Sequence, residues 1–248
     1  MLRKYLQPQR YVRRLQALTA SFSKPITDYE AETLTEFVYQ KTVAFNRITS
    51  LDLGMRSEHM LLAVSIALEE KLPGTPCRVL DFGGACGVHC KLVNLLFPDV
   101  EVKWAVVETA SMLRRARALE TNSLKFFEDI DSAVAWLEGV DLLNSNSVLQ
   151  YLQNPLLTTQ QLLELSPKVV LWGRLMLAKG PTFVDRQRTM LFNHGPGEVV
   201  PTGFRNRPIL NKVTKLSRDD FLSAHQARYR LRCEAEEHGF STYLFSRR

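Results

Sequence analysis

Nine residues constrain this chain more than any others: Val79-Leu80-Asp81-Phe82-Gly83-Gly84-Ala85-Cys86-Gly87. An apolar pair runs into an acid, and the acid runs into a glycine-rich turn. Glycine reaches backbone conformations closed to other residues and leaves the main chain bare, so a ligand can touch it there. Residues Val88 to Phe97 then read as a helix, with Val88, Leu92, Leu95 and Leu96 on one stripe. Strand, glycine turn and helix form the unit with which α/β folds hold nucleotides at the carboxyl edge of a parallel sheet. The alternative is a tight strand–helix turn that binds nothing.

The dinucleotide fingerprint G-x-G-x-x-G fits poorly, because from Gly83 its second glycine is Ala85 and its third is Val88. The pattern acid-x-Gly-x-Gly-x-Gly fits better, from Asp81 through Gly83 and Gly84 to Gly87, with Ala85 in the middle glycine's place. About twenty residues after the turn, the apolar run from Val102 ends in Glu108 and Thr109, at the interval of a ribose-binding carboxylate. The bland reading of Glu108 is an exposed strand-end acid. Leu124-Lys125-Phe126-Phe127 reads as a third strand, followed by the acids Glu128 and Asp129. Residues 139–155 read as strand, polar loop, short helix and stop, with Asn144, Ser145 and Asn146 where the fourth strand should end.

These four features in register resemble the class I S-adenosylmethionine (SAM) dependent methyltransferases, and Asp81 to Gly87 is similar to their motif I. A closer resemblance is to a family of methyltransferases whose genes often sit among cell-surface polysaccharide functions. Three stretches carry it: Leu80 to Gly84, Trp104 to Glu108, and Ser147 to Pro155. It covers the chain from about Ile26 to the end, and best from Cys77 to Leu175. The resemblance implies an α/β, Rossmann-like doubly wound, mostly parallel seven-stranded sheet with a C-terminal antiparallel hairpin and an N-terminal helical extension. It implies SAM as cofactor, held by Asp81, Gly83, Gly84, Ala85 and Gly87 at the turn and by Glu108 and Thr109 at the ribose. Glu128 or Asp129 would meet the adenine, or both are solvated turn acids. Asn144, Ser145 and Asn146 would bind the methionine end or the acceptor, or cap the next helix. In one respect the chain departs from many relatives: the helix after strand four carries Gln150 and Tyr151 and no histidine.

Methyl transfer from a sulfonium is an in-line displacement, so the protein mainly aligns the acceptor and excludes water. A hydroxyl or amine acceptor must also lose a proton. His194, in a turn-rich stretch, and Tyr151 are the candidates for that role, with His59 and His225 behind them.

The 248 residues suffice for one α/β domain with embellishments. We divide them into a helical extension or lid, 1–72, and a SAM-binding domain, 73–248, with a substrate-pocket insertion at about 178–216. Hydrophobic residues at 45% and charged residues at 23% are ordinary for a globular protein. No apolar run approaches the length of a membrane span, and no signal-peptide core is seen, so a cytoplasmic location is expected.

The net charge of +6 is a property of residues 1–25, which hold Arg3, Lys4, Arg10, Arg13, Arg14 and Lys24 and no acid. That segment reads as a helix packed on the domain, with membrane-surface contact, partner binding or targeting as alternatives. No nucleic-acid motif accompanies it. Residues 179–215 carry seven basic residues against Asp185 and Glu198, which motivates an anionic acceptor; a solvated loop is the alternative. Cys77, Cys86, Cys90 and Cys233 form no paired set, and Cys86, His89 and Cys90 lack a fourth ligand, so no metal is expected.

The sequence is therefore read as that of a SAM-dependent methyltransferase acting on a small polar, anionic or sugar-linked acceptor, by O- or N-methylation. The alternative is a non-catalytic partner or SAM-binding protein that retains the fold.

Further elements follow from pattern. Helices are expected from Asp28 to Phe45, from the Ser57 cap through Lys71, and from the Ser217 cap. Strand five is expected over Lys168–Leu175, loops and turns over most of 178–216, and a hairpin over Tyr229–Ala235 and Ser241–Ser246.

Overall fold

The computed structural model describes residues 25–27, 29–47, 58–69, 71–72 and 74–248. The basic stretch 1–24, the helix start at Asp28 and the cap at Ser57 lie outside the described residues.

Alternating apolar runs and amphipathic segments give a doubly wound sheet. The first helices are α1 (Glu32–Phe45) and α2 (Glu58–Leu68). Then come β1 (Cys77–Phe82), α3 (Val88–Leu96), β2 (Val102–Val107), α4 (Ala110–Ala116), β3 (Leu124–Phe127) and α5 (Ile130–Leu137). Next are β4 (Leu142–Asn146), α6 (Pro155–Glu164), β5 (Val169–Leu175), β6 (Leu177–Ala178), β7 (Phe183–Met190) and β8 (Pro208–Ser217). The chain ends with α7 (Arg218–Gln226), β9 (Tyr229–Glu237) and β10 (Phe240–Arg247). The main sheet has seven strands in the order β3-β2-β1-β4-β5-β10-β9. The first five are parallel, and β10 runs antiparallel to both of its neighbours.

Successive strand residues face opposite sides, and both sides are buried, so these strands read as continuous apolar runs. On one side Val79, Trp104, Val106 and Leu142 meet α1, α2, α3 and α4, through residues such as Phe37, Val64, Val93 and Met112. On the other, Leu80, Leu143 and Trp172 meet α5, α6 and α7, through Leu137, Leu162 and Phe221. The residues before and after position 72 therefore share one core. Burying the larger side chains contributes roughly 1.5–3 kcal/mol each. Asp81 and Asn144 continue the phase of Val79 and Leu142 but are polar, and both are fully buried.

The opposite end of the sheet is closed by ions. Asp141, just before β4, lies 2.6 Å from Lys71 Nζ and 3.0 Å from Arg78 Nε. Burial opposes its ionisation, but hydrogen bonds from Arg78 and Lys71 outweigh that and hold the carboxyl at about 2.

One expectation is corrected. Much of the stretch expected as loops is a three-stranded sheet, β6-β8-β7, with β7 and β8 antiparallel from Phe183↔Lys215 to Met190↔Pro208. Its outer face carries Arg186, Arg188 and Lys212 beside the exposed Val184 and Leu210, and its inner face Gln187 and Thr189 beside the buried Ile209 and Val213, so apolar and polar residues share both faces and no clean alternation marks it. The glycines and prolines of 195–203 mark only the connection. Ser217 caps α7 by accepting from the Asp220 amide, as its type implies. Among the described residues no helix is long and apolar enough to cross a membrane.

Candidate active site

The sheet order reverses direction between β1 and β4, and a doubly wound sheet opens its binding crevice at such a switch point. The glycine turn sits there. Gly83 and Gly87 both take φ of +73°, and Ala85 takes +49°, so the residue in the middle glycine's place adopts the left-handed backbone that glycine would. A Cβ on Gly84 would meet the Asp81 carboxylate at 2.4 Å, which requires glycine.

Asp81 organises the floor. Its carboxylate accepts from Trp104 Nε1 at 3.1 Å and from Asn144 Nδ2 at 2.6 Å, with His89 Nδ1 3.7 Å away. Asp81 is thus a buried bracket between strands, with Asn144 and His89 beside it. Asn144 Oδ1 is buried with no hydrogen-bond partner, as are Ser145 Oγ and Gln150 Oε1. Buried acceptors are seldom left unpaired in native proteins, so an orphan at a crevice marks a place for a ligand donor.

Glu108, at the carboxyl end of β2 and only 8% exposed, reaches back to the turn. Its two oxygens accept from the Ala85 amide at 3.1 Å and the Thr109 amide at 2.8 Å. Burial raises its pKa, against these amide bonds, which lower it. Each oxygen retains a lone pair, which suits a pair of hydroxyl donors. Thr109 Oγ1 lies 3.3 Å from Ser111 Oγ.

The adenine candidates fare differently. Both are exposed, and Asp129 caps α5, with Oδ1 accepting from the Ser132 amide at 2.7 Å and Oδ2 from its hydroxyl at 2.9 Å. Asn146 stands against Gly173, where a Cβ would come within 2.9 Å of its amide carbon.

Above the floor, Tyr151 sits on the 3-10 turn Leu149–Tyr151. Its hydroxyl donates to Gln187 Oε1 on β7 at 2.7 Å, and its ring stacks with Tyr29 at 6.1 Å. Burial raises the Tyr151 pKa, so the phenol holds its proton at neutral pH. Burial raises that of Tyr29 further, with the Glu108 charge adding to it. His194 Nε2 lies 2.9 Å from Thr189 Oγ1. Burial, then the charges of Lys41 and Arg174, push its pKa down to about 4, leaving a neutral imidazole.

Two weaker candidates lie elsewhere. His225 is a core residue: Trp172 Nε1 donates to its Nε2 at 2.8 Å, and its Nδ1 donates to the Phe221 carbonyl. Its second nitrogen must then carry the proton, and neither is free for catalysis. His59 occupies the first turn of α2.

Sequence reasoning missed Tyr29, Lys41, His89, Arg174 and Gln187. Sequence held no signal for four of them, but His89 stands in the first turn after the glycine loop. Ser147 (φ +62°) and Arg174 (φ +53°) are left-handed non-glycine residues at the ends of β4 and β5, a form of strain that gathers at functional sites.

The strand order, with an antiparallel β10 between β5 and β9, is the architecture of the class I methyltransferase fold. No family model matches the chain, and no curated protein matches it in sequence. Similar solved structures include DesVI of Streptomyces venezuelae, with 17% identity over 79% of this chain and 94% of that one and a TM-score of 0.49. A SAM-dependent methyltransferase from Mesorhizobium loti has 11% identity over 78% and 99%, with a TM-score of 0.48. The Burkholderia thailandensis 1,6-didemethyltoxoflavin-N1-methyltransferase, with bound 1,6-didemethyltoxoflavin and S-adenosylhomocysteine, has 11% identity over 100% and 93%, with a TM-score of 0.47. Identities this low leave function to be read from the residues of this chain.

Proposed function

We propose that this protein is an enzyme that transfers a methyl group from SAM to a small polar acceptor, by O- or N-methylation. The single observation that carries the reading is the pairing of a buried strand-end carboxylate, Glu108, with the glycine turn at the switch point of the sheet. The residues fit the cofactor. Glu108 would accept from the ribose hydroxyls, Asn144 Oδ1 would accept from the methionine ammonium, and the backbone from Gly83 to Gly87 would lie along the amino-acid portion. When bound, SAM supplies an activated methyl group. The chain's own task is then to hold the acceptor in line and keep water out. His194, neutral, is the proton acceptor of the two candidates; Tyr151, protonated, orients the acceptor by hydrogen bonding.

The N-terminal element serves as a lid. Ile26 bridges to Ile209 of β8, Tyr29 covers Tyr151, and α1 is tied to α4 by the Arg115–Glu36 ion pair at 2.8 Å. Its basic residues, together with the gene association of the resembling family, carry no further weight.

Calorimetry tests the reading. SAM and S-adenosylhomocysteine should bind saturably and NADH should not. Glu108→Ala should weaken both sulfur ligands by roughly 10- to 100-fold, the range for hydrogen bonds to a charged group. Full affinity in that variant sinks the ribose assignment, and absence of binding in the wild type brings forward the non-catalytic partner protein.

A further inference from the structure

Lys41 is an anomaly of this fold. It lies on α1 with only 3% of its surface exposed. Among the described residues it makes no hydrogen bond or ion pair; its ammonium stands 5.7 Å from the Phe37 ring centroid. A buried lysine without an anion is costly, because the ammonium loses its hydration. The exposed Glu198 attracts it from beyond salt-bridge distance, and burial lowers its pKa.

Its surroundings include the residues next to His194. Gly195 lies against the lysine stem, so close that a Cβ there would stand 3.2 Å from Lys41 Cβ. The preceding residue is His194, which lies within reach of the charges of both Lys41 and Arg174. Arg174 is exposed at the carboxyl end of β5, its guanidinium 5.2 Å from the Phe240 ring centroid, and its charge also reaches Tyr151. Asn211 pairs with Gln187 across the hairpin, on the face that meets Tyr151. It is 8% exposed, and its Nδ2 donor has no partner. Gly195 rests on Lys41, His194 lies 2.9 Å from Thr189 on the hairpin face that carries Gln187 and Asn211, and Gln150, next to Tyr151, donates to the Arg174 carbonyl; two cations and an orphaned donor thus border one neighbourhood, and among the described residues neither cation is paired with an acid.

We infer that Lys41, Arg174 and Asn211 frame an oxyanion subsite beside His194, and that the methyl acceptor carries a phosphate or carboxylate there. The acceptor part of this inference rests on the methyltransferase reading; the subsite does not. The basic residues of the hairpin are not its source: Arg186, Arg188 and Lys212 face outward, and Lys215 is paired with Asp185 at 2.8 Å. A compact ammonium suits a single oxyanion, and an amide donor adds direction.

The test is a titration of histidine-labelled full-length protein with inorganic phosphate and, separately, with acetate, at constant ionic strength. The His194 resonance, assigned with His194→Gln, is followed by NMR. At least one anion should shift it saturably, and the stronger of the two distinguishes a phosphate from a carboxylate acceptor. Lys41→Gln and Arg174→Gln should each weaken binding at least tenfold, Lys41→Arg should retain it, and Arg188→Gln should leave it unchanged. No saturable shift with either anion, or an equal loss in Arg188→Gln, overturns the subsite. If Lys41→Gln does not fold, Arg174→Gln decides alone, since that side chain is exposed. S-adenosylhomocysteine binding without anion binding removes the subsite and spares the methyltransferase reading. Anion binding without S-adenosylhomocysteine binding does the reverse.

Discussion

Ala85 shows how a single residue can be read correctly in pattern and still be improved upon by geometry. The motif wants glycine in its place, and the backbone takes the left-handed conformation with alanine present, at a cost of about 1–2 kcal/mol. Replacing it by glycine removes that strain but adds unfolded-chain entropy of roughly 0.4–1 kcal/mol. Ala85→Gly should therefore lie within about 1 kcal/mol of the wild type in urea unfolding. Ala85→Val should be clearly less stable, because a β-branched residue is a poor occupant of that region. Equal stability of all three proteins would mean that the turn is not held as described. At the same scale, Asp81 was legible as a motif acid, but its partners were not, because Trp104 and Asn144 come from two other strands.

At the scale of elements, caps and strands were legible where local chemistry sets them. Ser217 announced α7, and the apolar runs announced β1 to β5. Asp129 shows the ambiguity that remains, since an acid after a strand can meet a ligand or cap the next helix. Its carboxylate caps α5. Asp129→Ala should lower the urea-unfolding midpoint through loss of the cap, with S-adenosylhomocysteine affinity held within twofold. A tenfold loss of affinity at unchanged stability would restore the adenine role. The β7–β8 hairpin escaped notice because both of its faces mix apolar and polar residues, so hydrophobic periodicity does not register it.

At the scale of the molecule, stability in acid rests on buried titrating side chains. His225 is held at about 4, below the ordinary 6.5, by burial. Its contribution is complete above pH 6.5 and is lost as pH falls through 4, up to roughly 3 kcal/mol at about 1.4 kcal/mol per pH unit. His194 adds to the same window. Asp141, held at about 2 against an ordinary 3.8, contributes above pH 3.8 and loses that contribution as pH falls through 2. The melting temperature should thus decline from pH 6.5 downward in two overlapping stages. His225→Phe should flatten the first stage and leave the second. An unchanged slope between pH 6.5 and 4 would show that the histidine titrates normally. Removing the carboxylate in Asp141→Ala strands Lys71 and Arg78, so it should cost about 3–5 kcal/mol, read by urea unfolding at pH 7.

The chain by itself determined the alternation of strands and helices, the glycine turn and the strand-end acid Glu108. These are written in residues close together, where period, turn chemistry and propensity act directly. The tertiary structure alone decided that Tyr29 covers Tyr151, that His225 is a core residue, and that Lys41 packs against Gly195, next to His194. Those placements join distant segments of the chain. Only packing around a shared core brings such segments together, and only burial, which belongs to no stretch of sequence alone, turns a surface lysine into an unsatisfied charge.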